Sequence, residues 1–220
     1  MKYWAYSFSK FTLWVVFRWR CGLEVTGQHH IPTRGPFILA SNHRSFLDPP
    51  VLGAACPRRL SFMARADLFE RRWLGTYMRA VHVIPLRRGE VDPAAIREAI
   101  HRLRQGEAIA IFPEGGRQLS GKLGTAKRGV GFLAVTARVP IIPVLIQGTF
   151  EALPPGERRL HPAKIRVAFG PPIPYTNHSA PVAPHEGGGL VQARASRGRD
   201  EALADVVTRY WHTLERQDHG

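Results

Sequence analysis

Hydrophobic and polar residues alternate along the middle of the chain between short apolar runs and longer segments with helical spacing. The runs have the length and the aliphatic content of buried strands, and strands that alternate with helices are typical of an α/β domain. We therefore expect a single α/β domain with a mixed, largely parallel central sheet of about seven strands flanked by helices. The predicted strands are Leu23–Gly27, Phe37–Ala40, Leu60–Ala64, Val81–Pro85, Ala108–Phe112, Ile141–Ile146 and Lys164–Phe169.

Three of the helices between these strands have recognisable limits. Asp48 before Pro49, and Asp92 before Pro93, each have the pattern of an N-cap residue followed by proline at the first helical position. A third helix is predicted over about residues 125–137, where apolar residues recur on one face. These helices would cover the sheet between successive strands.

The first residues, MKYWAYSFSKFTLWVVFRWR, combine aromatic side chains with lysine and arginine. No apolar stretch approaches the roughly 20 residues that a spanning helix needs, and arginines stand where a cleaved signal would have small residues. Tryptophan beside basic residues suits the headgroup region of a bilayer. We expect residues 1–20 to form a helix in the membrane interface. The alternative is a first helix packed on the core of the domain.

The composition also divides the rest of the chain. Residues 176–199 are rich in proline and glycine and poor in large apolar side chains, which predicts a flexible connector. Residues 200–217 again repeat apolar positions at helical spacing and predict a C-terminal amphipathic helix. The main domain is accordingly expected over residues 21–175.

The net charge indicates an anionic partner. The chain has 31 Lys+Arg against 17 Asp+Glu, a formal charge of +14, which suits nucleic acid, a phospholipid surface or a phosphorylated substrate. We expect no nucleic acid, because the sequence has no zinc finger, basic aromatic sheet motif or recognition helix. We also expect no metal, because Cys21 and Cys56 are far apart and no His/Cys/Asp cluster has ligand-like spacing.

The segment SNHRSFLDPP, residues 41–50, places His43 five residues before Asp48. A single helix would hold the two side chains apart, but a turn that ends at a helix N-terminus can bring them together. The carboxylate would then bind one imidazole nitrogen and leave the other as a base. The alternative is that Asp48 only caps the helix and His43 is an ordinary loop residue. Ser45 is a further, less favoured candidate nucleophile.

Four blocks in order support the first interpretation: NHRSFLD (42–48), VIPLRRG (83–89), FPEGGRQ (112–118) and VPIIPV (139–144). Over roughly residues 23–170 the chain resembles the glycerolipid acyltransferase family, whose best-known members are 1-acylglycerol-3-phosphate acyltransferases.

The resemblance implies an acyltransferase of phospholipid synthesis. A fatty acyl group would move from an acyl thioester, acyl-CoA or acyl carrier protein, to the free hydroxyl of a lysophosphatidic-acid-like acceptor, giving phosphatidic acid. His43 would be the general base and Asp48 its orienting partner, with no cofactor beyond the thioester co-substrate. Alternatives are another lysophospholipid, glycerol phosphate or an amino-lipid as acceptor, or a non-catalytic basic domain that binds membranes or nucleic acid.

The same resemblance implies the residues that bind the acceptor. Arginine binds phosphate through two charge-assisted hydrogen bonds, which lysine cannot reproduce. Asn42 and the backbone amides after His43 are candidate donors to the oxyanion of the transition state. The residues implied for substrate binding are Asn42, Arg88, Glu114, Gly115 and Arg117, with Arg87, Gly116 and Lys127 as further candidates.

A lysolipid acceptor lies in the bilayer, so the active site would open at its surface. Basic residues near an anionic leaflet each gain about 1 kcal/mol. We therefore expect peripheral or monotopic association with a phospholipid surface, on the cytoplasmic face. The residues expected at that surface are the N-terminal aromatics and Arg18, Arg20, Arg58, Arg59, Arg71 and Arg72.

Overall fold

Seven strands form one central sheet in the computed structural model, which describes residues 4–87, 92–157, 159–176 and 190–217. The spatial order is β1-β7-β6-β2-β5-β3-β4, and every neighbouring pair is parallel except β6 and β7. The predicted α/β class with a mixed, largely parallel sheet is confirmed. The strands are β1 Glu24–Thr26, β2 Phe37–Ser41, β3 Leu60–Arg65, β4 Ile84–Leu86, β5 Ala108–Ile111, β6 Ile141–Gln147 and β7 Arg166–Phe169.

Helices cover both faces of this sheet. Alternate residues of β2 belong to two separate apolar clusters, one packed under α1 and α2 and the other under α4, α5 and α7. Because β2 is buried on both faces, its sequence is apolar throughout instead of alternating. The helices are α1 Trp4–Arg20, α2 Asp48–Ala55, α3 Arg72–Ala80, α4 Pro93–Arg104, α5 Gly129–Ala137, α6 Thr149–Ala152 and α7 Leu190–Gln217.

One of the two predicted N-cap residues caps its helix in the structure, and the other does not. Asp92 caps α4 by accepting hydrogen bonds from the N–H groups of Ala94 and Ala95, at 3.0 and 3.2 Å, so that prediction is confirmed. Asp48 is not the N-cap of α2 but lies inside its first turn. The reason is that the loop before α2 folds under the helix end and brings its own N–H groups to this carboxylate.

Helix α5 starts at Gly129 instead of about residue 125. The N–H of Ala126 donates to the Thr208 hydroxyl at 2.9 Å, and the N–H of Lys127 donates to the Pro113 carbonyl at 2.9 Å. Tertiary hydrogen bonds therefore hold residues that the apolar pattern alone would place in the helix.

Helix α1 packs on the domain and also exposes aromatic side chains. Phe17 is buried in the core, and the Tyr6 hydroxyl accepts a hydrogen bond from the N–H of Leu60 at 3.0 Å. On the outer side, Phe11 and Trp19 are 65% and 85% exposed. The helix thus has the core contacts expected of a first helix packed on the domain. It also has the exposed aromatic side chains expected of a helix in the membrane interface. Within the described residues, no helix has both the length and the apolar character needed to cross a bilayer.

The C-terminal helix is longer than its pattern predicts. It already begins at Leu190, within the predicted connector 176–199, of which residues 177–189 lie outside the described part. Leu203, Val207 and Trp211 bury its inner face against α5 and β6. Packing on this face stabilises a helix that local composition, including Gly198, does not favour by itself.

Candidate active site

Three neighbouring strands end at one edge of the sheet. β2 lies between β6 and β5 and is parallel to both, so their C-terminal ends meet. The connection after β2 leads through α2 to β3, whereas the connection after β5 leads through α5 to β6 on the other side of β2. Open α/β sheets bind ligands where adjacent connections diverge in this way. The loop of residues 42–48, here called the His43 loop, and the segment 112–118 both lie at this point.

His43 and Asp48 are in direct contact. The Nδ1 atom of His43 lies 2.8 Å from Oδ2 of Asp48, whose side chain is 0% exposed. The same Oδ2 accepts the backbone N–H groups of Arg44 and Ser45 at 2.7 and 2.8 Å. The Thr149 hydroxyl donates to Oδ1 at 2.6 Å. Donors on both oxygens satisfy this buried carboxylate and hold it in one orientation.

The contact with Asp48 decides which imidazole nitrogen is available. A carboxylate accepts a hydrogen bond from Nδ1–H, so the Nε2 atom of neutral His43 keeps its lone pair. The Phe112 ring stacks on the imidazole with centroids 4.3 Å apart and an interplanar angle of 28°. Nε2 has no hydrogen-bond partner within the described part of the chain, and the His43 side chain is 17% exposed. The geometry is that of an oriented and accessible base.

Glu114 joins the two segments of the site. Its Oε2 accepts the N–H of His43 and its Oε1 accepts the N–H of Gly124, each at 3.1 Å. The Gln118 side chain is a further partner, and the Gln118 N–H donates to the His43 carbonyl at 2.8 Å. Burial raises the pKa of Glu114, and these donors partly oppose the shift. Both carboxylate oxygens of Glu114 therefore bind the backbone of its own protein, and its implied role in substrate binding stays a prediction.

Gly115 forms the turn that follows Glu114. Its φ of 77° lies in the left-handed region that favours glycine. A Cβ added there would lie 2.6 Å from Nζ of Lys127, so that ammonium group lies against the turn. Gly116 is exposed, and a Cβ added at this position would meet no atom within 4 Å. The candidate positions 115 and 127 are thus adjacent in space, and position 116 faces open space.

Arg117 packs on a residue of the His43 loop. Its guanidinium carbon lies 3.6 Å from the centre of the Phe46 ring, and Phe46 is 63% exposed. Within the described residues, no carboxylate forms an ion pair with Arg117. A cation without a carboxylate partner, in contact with the His43 loop, is suited to an anionic ligand.

The described part of the second block, residues 83–87, lies farther along the sheet from the His43 loop than the third block does. Arg87 follows β4 at the same edge of the sheet, but β4 is separated from β2 by β5 and β3. Its N–H donates to the Asp92 carboxylate at 3.0 Å, and its side chain is exposed. This hydrogen bond is the main cause of the lowered pKa of Asp92. Arg88, the favoured arginine of this block, lies outside the described residues.

Asn42, predicted to bind substrate or the oxyanion, has both ends of its side-chain amide bound to the protein backbone. Asn42 is fully buried; its Nδ2 donates to the Ile146 carbonyl at 2.9 Å and its Oδ1 accepts the Ile146 N–H at 2.7 Å. The side chain thus continues the pairing of β2 with β6 beyond Ser41. Its position is structural because both ends of the amide are used.

The backbone amides that follow His43 are also occupied. The N–H of His43 donates to Glu114, and those of Arg44 and Ser45 donate to Asp48. The amides of residues 44 and 45 are therefore engaged within the protein, and oxyanion stabilisation by amides after His43 stays a prediction. Ser45 is not placed as a nucleophile either, because its buried hydroxyl donates to the Leu153 carbonyl at 3.1 Å.

A cavity of about 470 Å³ lies away from this site, between α1 and the C-terminal end of α2. Cys56 lines it, and burial raises the pKa of this thiol to about 11, so it is not a reactive thiolate at neutral pH. Lys10 donates to the carbonyls of Cys56 and Pro57, and burial lowers its pKa. This cluster joins α1 to the domain.

Several contacts of the site had no signal in the sequence. Thr149 reaches Asp48 from the start of α6, 101 residues away along the chain. It follows Gly148, whose φ of 80° and close approach to the Lys164 carbonyl require glycine. Phe46 and Phe112 each lie within a recognised block, but neither spacing nor residue type indicates that they stack on Arg117 and His43.

Comparisons with known proteins bear on the family and the fold of this chain. The sequence model of the family described as Acyltransferase matches residues 22–147, more than half of the chain. A 1-acyl-sn-glycerol-3-phosphate acyltransferase of Bacillus subtilis is 28% identical over 169 residues, 76% of this chain and 82% of that protein. The human 1-acyl-sn-glycerol-3-phosphate acyltransferase alpha is 32% identical over 158 residues, 69% of this chain. The chain spans 55% of the length of that human protein.

A solved structure is similar over almost the whole chain. The crystal structure of the 1-acyl-sn-glycerophosphate (LPA) acyltransferase PlsC from Thermotoga maritima matches with a TM-score of 0.73 and 26% sequence identity. The match covers 96% of this chain and 79% of that one. On the family match, the relatives and the shared fold, this chain belongs to the acyltransferase family.

Proposed function

We propose that this acyltransferase moves a fatty acyl group from an acyl thioester, carried by coenzyme A or acyl carrier protein, to the free hydroxyl of 1-acylglycerol-3-phosphate. The observation that carries the proposal is the 2.8 Å contact between His43 Nδ1 and the buried Asp48 carboxylate, which leaves Nε2 available. The named activities of the Bacillus, human and Thermotoga proteins support the acceptor class.

The proposed reaction needs one base and no covalent enzyme intermediate. His43 Nε2 removes the proton of the acceptor hydroxyl as its oxygen attacks the thioester carbonyl carbon. The resulting tetrahedral intermediate expels the thiolate when the carbon–sulfur bond breaks. The proton on Nε2 then passes to the sulfur, giving a free thiol, a new oxygen ester and neutral His43. Asp48 holds the ring and stabilises the imidazolium while it exists.

The cations near the His43 loop support a phosphate-bearing acceptor. Arg117 packs over the Phe46 ring and has no carboxylate partner within the described part of the chain, and the Lys127 ammonium lies against Gly115. A guanidinium can bind two phosphate oxygens through parallel N–H groups, and an ammonium adds a point charge. In this proposal, both bind the phosphate monoester of the acceptor while its hydroxyl approaches His43.

Thiol release tests the enzymatic proposal directly. The protein is incubated with acyl-CoA or acyl carrier protein thioester and with lysophosphatidic acid, another lysophospholipid or glycerol phosphate. We expect thiol release and a new acylated lipid with lysophosphatidic acid, and loss of both in His43→Ala. The matched control, His101→Ala, removes an exposed histidine of α4 and should keep full activity. Activity only with another acceptor would overturn the proposed substrate, and activity that survives in His43→Ala would overturn the proposed base.

We also propose that the outer face of α1 binds a phospholipid surface at the cytoplasmic face of the membrane. The support is the pair of exposed aromatics Phe11 and Trp19 beside Arg18 and Arg20, a combination suited to the headgroup region. Because Phe17 is part of the core, point variants test this better than truncation.

Sedimentation with anionic vesicles measures this contact. The double variant Phe11→Ser, Trp19→Ser should sediment less than wild type while its circular dichroism spectrum stays unchanged. Phe132→Ser is the control, since Phe132 is a half-exposed aromatic of α5 on the opposite face of the sheet. Equal sedimentation of the double variant and wild type would contradict the proposal.

A further inference from the structure

One face of α7 contacts the segments that carry the site. Thr208, Trp211 and Glu215 follow the i, i+3, i+7 spacing of a single helical face. The Thr208 hydroxyl accepts the N–H of Ala126 at 2.9 Å, close to Lys127 in the chain. The fully buried Trp211 donates its indole N–H to the Ala40 carbonyl at 3.1 Å, at the end of β2. Thr208 and Trp211 thus bind the backbone of two segments that lead to the site, one before Lys127 and one at the end of β2.

The third residue reaches the His43 loop itself. Glu215 Oε1 accepts a hydrogen bond from the Arg44 guanidinium at 3.0 Å, and the Arg44 side chain is only 10% exposed. Within the described residues, Glu215 is the carboxylate paired with Arg44, and the Arg44 Nε atom has no hydrogen-bond partner. A nearly buried guanidinium needs a counter-charge, because desolvation without one is strongly unfavourable.

Arg44 links this ion pair to the proposed base. Its backbone N–H donates to Asp48 Oδ2 at 2.7 Å, and the same oxygen lies 2.8 Å from His43 Nδ1. A shift of the Arg44 backbone would therefore disturb the carboxylate that orients the imidazole. A misplacement of about 1 Å at a reacting group can lower the rate by roughly 10²-fold.

We infer that Glu215 is a positioning residue for acyl transfer, which holds the His43 loop in its reactive geometry through Arg44. The inference rests on the proposed function and extends it to α7, which lies beyond the residues 22–147 that the family model matches. The other anchors of the loop remain when Glu215 is changed, because Glu114 binds the His43 N–H and Ser45 binds Leu153. Loss of the ion pair should thus leave the protein folded with a less well-oriented base.

Variants at position 215 separate positioning from folding. We expect Glu215→Gln to lower kcat about 10- to 100-fold, in the range for a displaced reacting group, while the KM values for acceptor and thioester stay within about twofold. Glu215→Asp keeps the charge and should recover part of the rate. The matched control is Asp205→Asn, which removes an exposed carboxylate of the same helix and should leave kcat unchanged. Thermal unfolding is measured on every variant.

A double-mutant cycle tests the pairing. Arg44→Gln should lower kcat, and the double variant Arg44→Gln, Glu215→Gln should lose no more than the worse single variant, because neither charge is then left without its partner. The inference is overturned if kcat of Glu215→Gln equals that of wild type, if the two single losses multiply in the double variant, or if KM alone changes.

A second readout keeps this test independent of the proposed reaction. NMR of the imidazole nitrogens reports the hydrogen bond and tautomer of His43 without turnover. Glu215→Gln should shift the His43 resonances, whereas Asp205→Asn should not. If wild type releases no thiol with any acceptor, the proposed function fails, and these spectra alone then decide whether Glu215 positions His43. Unchanged His43 resonances in Glu215→Gln overturn the inference in either case.

Discussion

The guanidinium carbon of Arg117 lies 3.6 Å from the centre of the Phe46 ring, so a residue of one motif forms the platform for the arginine of another. A guanidinium packed over an aromatic face can still offer N–H groups for two hydrogen bonds. Phe46 thereby limits the orientations in which Arg117 can meet a phosphate.

Replacement of Phe46 tests this platform. Phe46→Leu removes the ring, and we expect the KM for the phosphorylated acceptor to rise about two- to fivefold, as for loss of an exposed cation–π contact. Phe46→Tyr keeps the ring face and should behave like wild type. Steady-state kinetics with each substrate varied in turn provide the measurement. A rise in the thioester KM instead of the acceptor KM would contradict the assigned role.

Asp48→Asn should lower kcat by roughly 10²–10⁴-fold, the range contributed by a well-positioned base. The amide oxygen of asparagine can replace Oδ2, and its NH₂ group can donate to the Thr149 hydroxyl, so the fold should survive without the negative charge. Thiol release and circular dichroism are measured together. A variant that is unfolded would show that Asp48 acts mainly on stability, and a folded variant with full activity would exclude it from the mechanism.

Asn42→Ala should destabilise the protein without a specific effect on substrate binding. It leaves the N–H and carbonyl of Ile146 without the side-chain partners that they have now, and one buried unsatisfied group costs about 1–3 kcal/mol. Urea denaturation should show a loss of this size in the free energy of unfolding. If stability is instead unchanged and the acceptor KM rises several-fold, Asn42 is a binding residue after all.

Gly115→Ala and Gly116→Ala form a matched pair at one turn. Alanine at position 115 must adopt a φ of 77° and displace the Lys127 ammonium, so we expect a loss of about 1–2 kcal/mol in unfolding free energy and a higher acceptor KM. Alanine at position 116 meets open space and should change neither quantity by much. Denaturation and acceptor kinetics of both variants are compared with wild type; similar behaviour of the two variants would refute the special role of position 115.

Local sequence patterns were sufficient to predict where the strands of the sheet lie. Each of the seven predicted strands overlaps a strand of the sheet, although β4 begins at Ile84, three residues after its predicted start. β2, β5 and β6 are short apolar runs, and burial on both faces makes such runs stand out. The start of α4 was equally predictable, since a cap such as Asp92 acts on amides two and three residues away. The start of α5 was not, because Thr208 holds Ala126 from another part of the chain.

In the candidate site, too, contacts between residues close in sequence were predictable and contacts between distant residues were not. His43 and Asp48 are close in sequence, so their pairing was open to prediction once a turn was placed between them. The sequence by itself determined the strands, the order of the motifs and the residue types available for acid–base and phosphate chemistry. Only the tertiary structure decided that Asn42 and Glu114 bind backbone, that Thr149 completes the Asp48 site, and that Glu215 neutralises Arg44. The physical reason is that hydrogen bonds and ion pairs act over a few ångströms, whereas these partners are 71 to 171 residues apart in the chain.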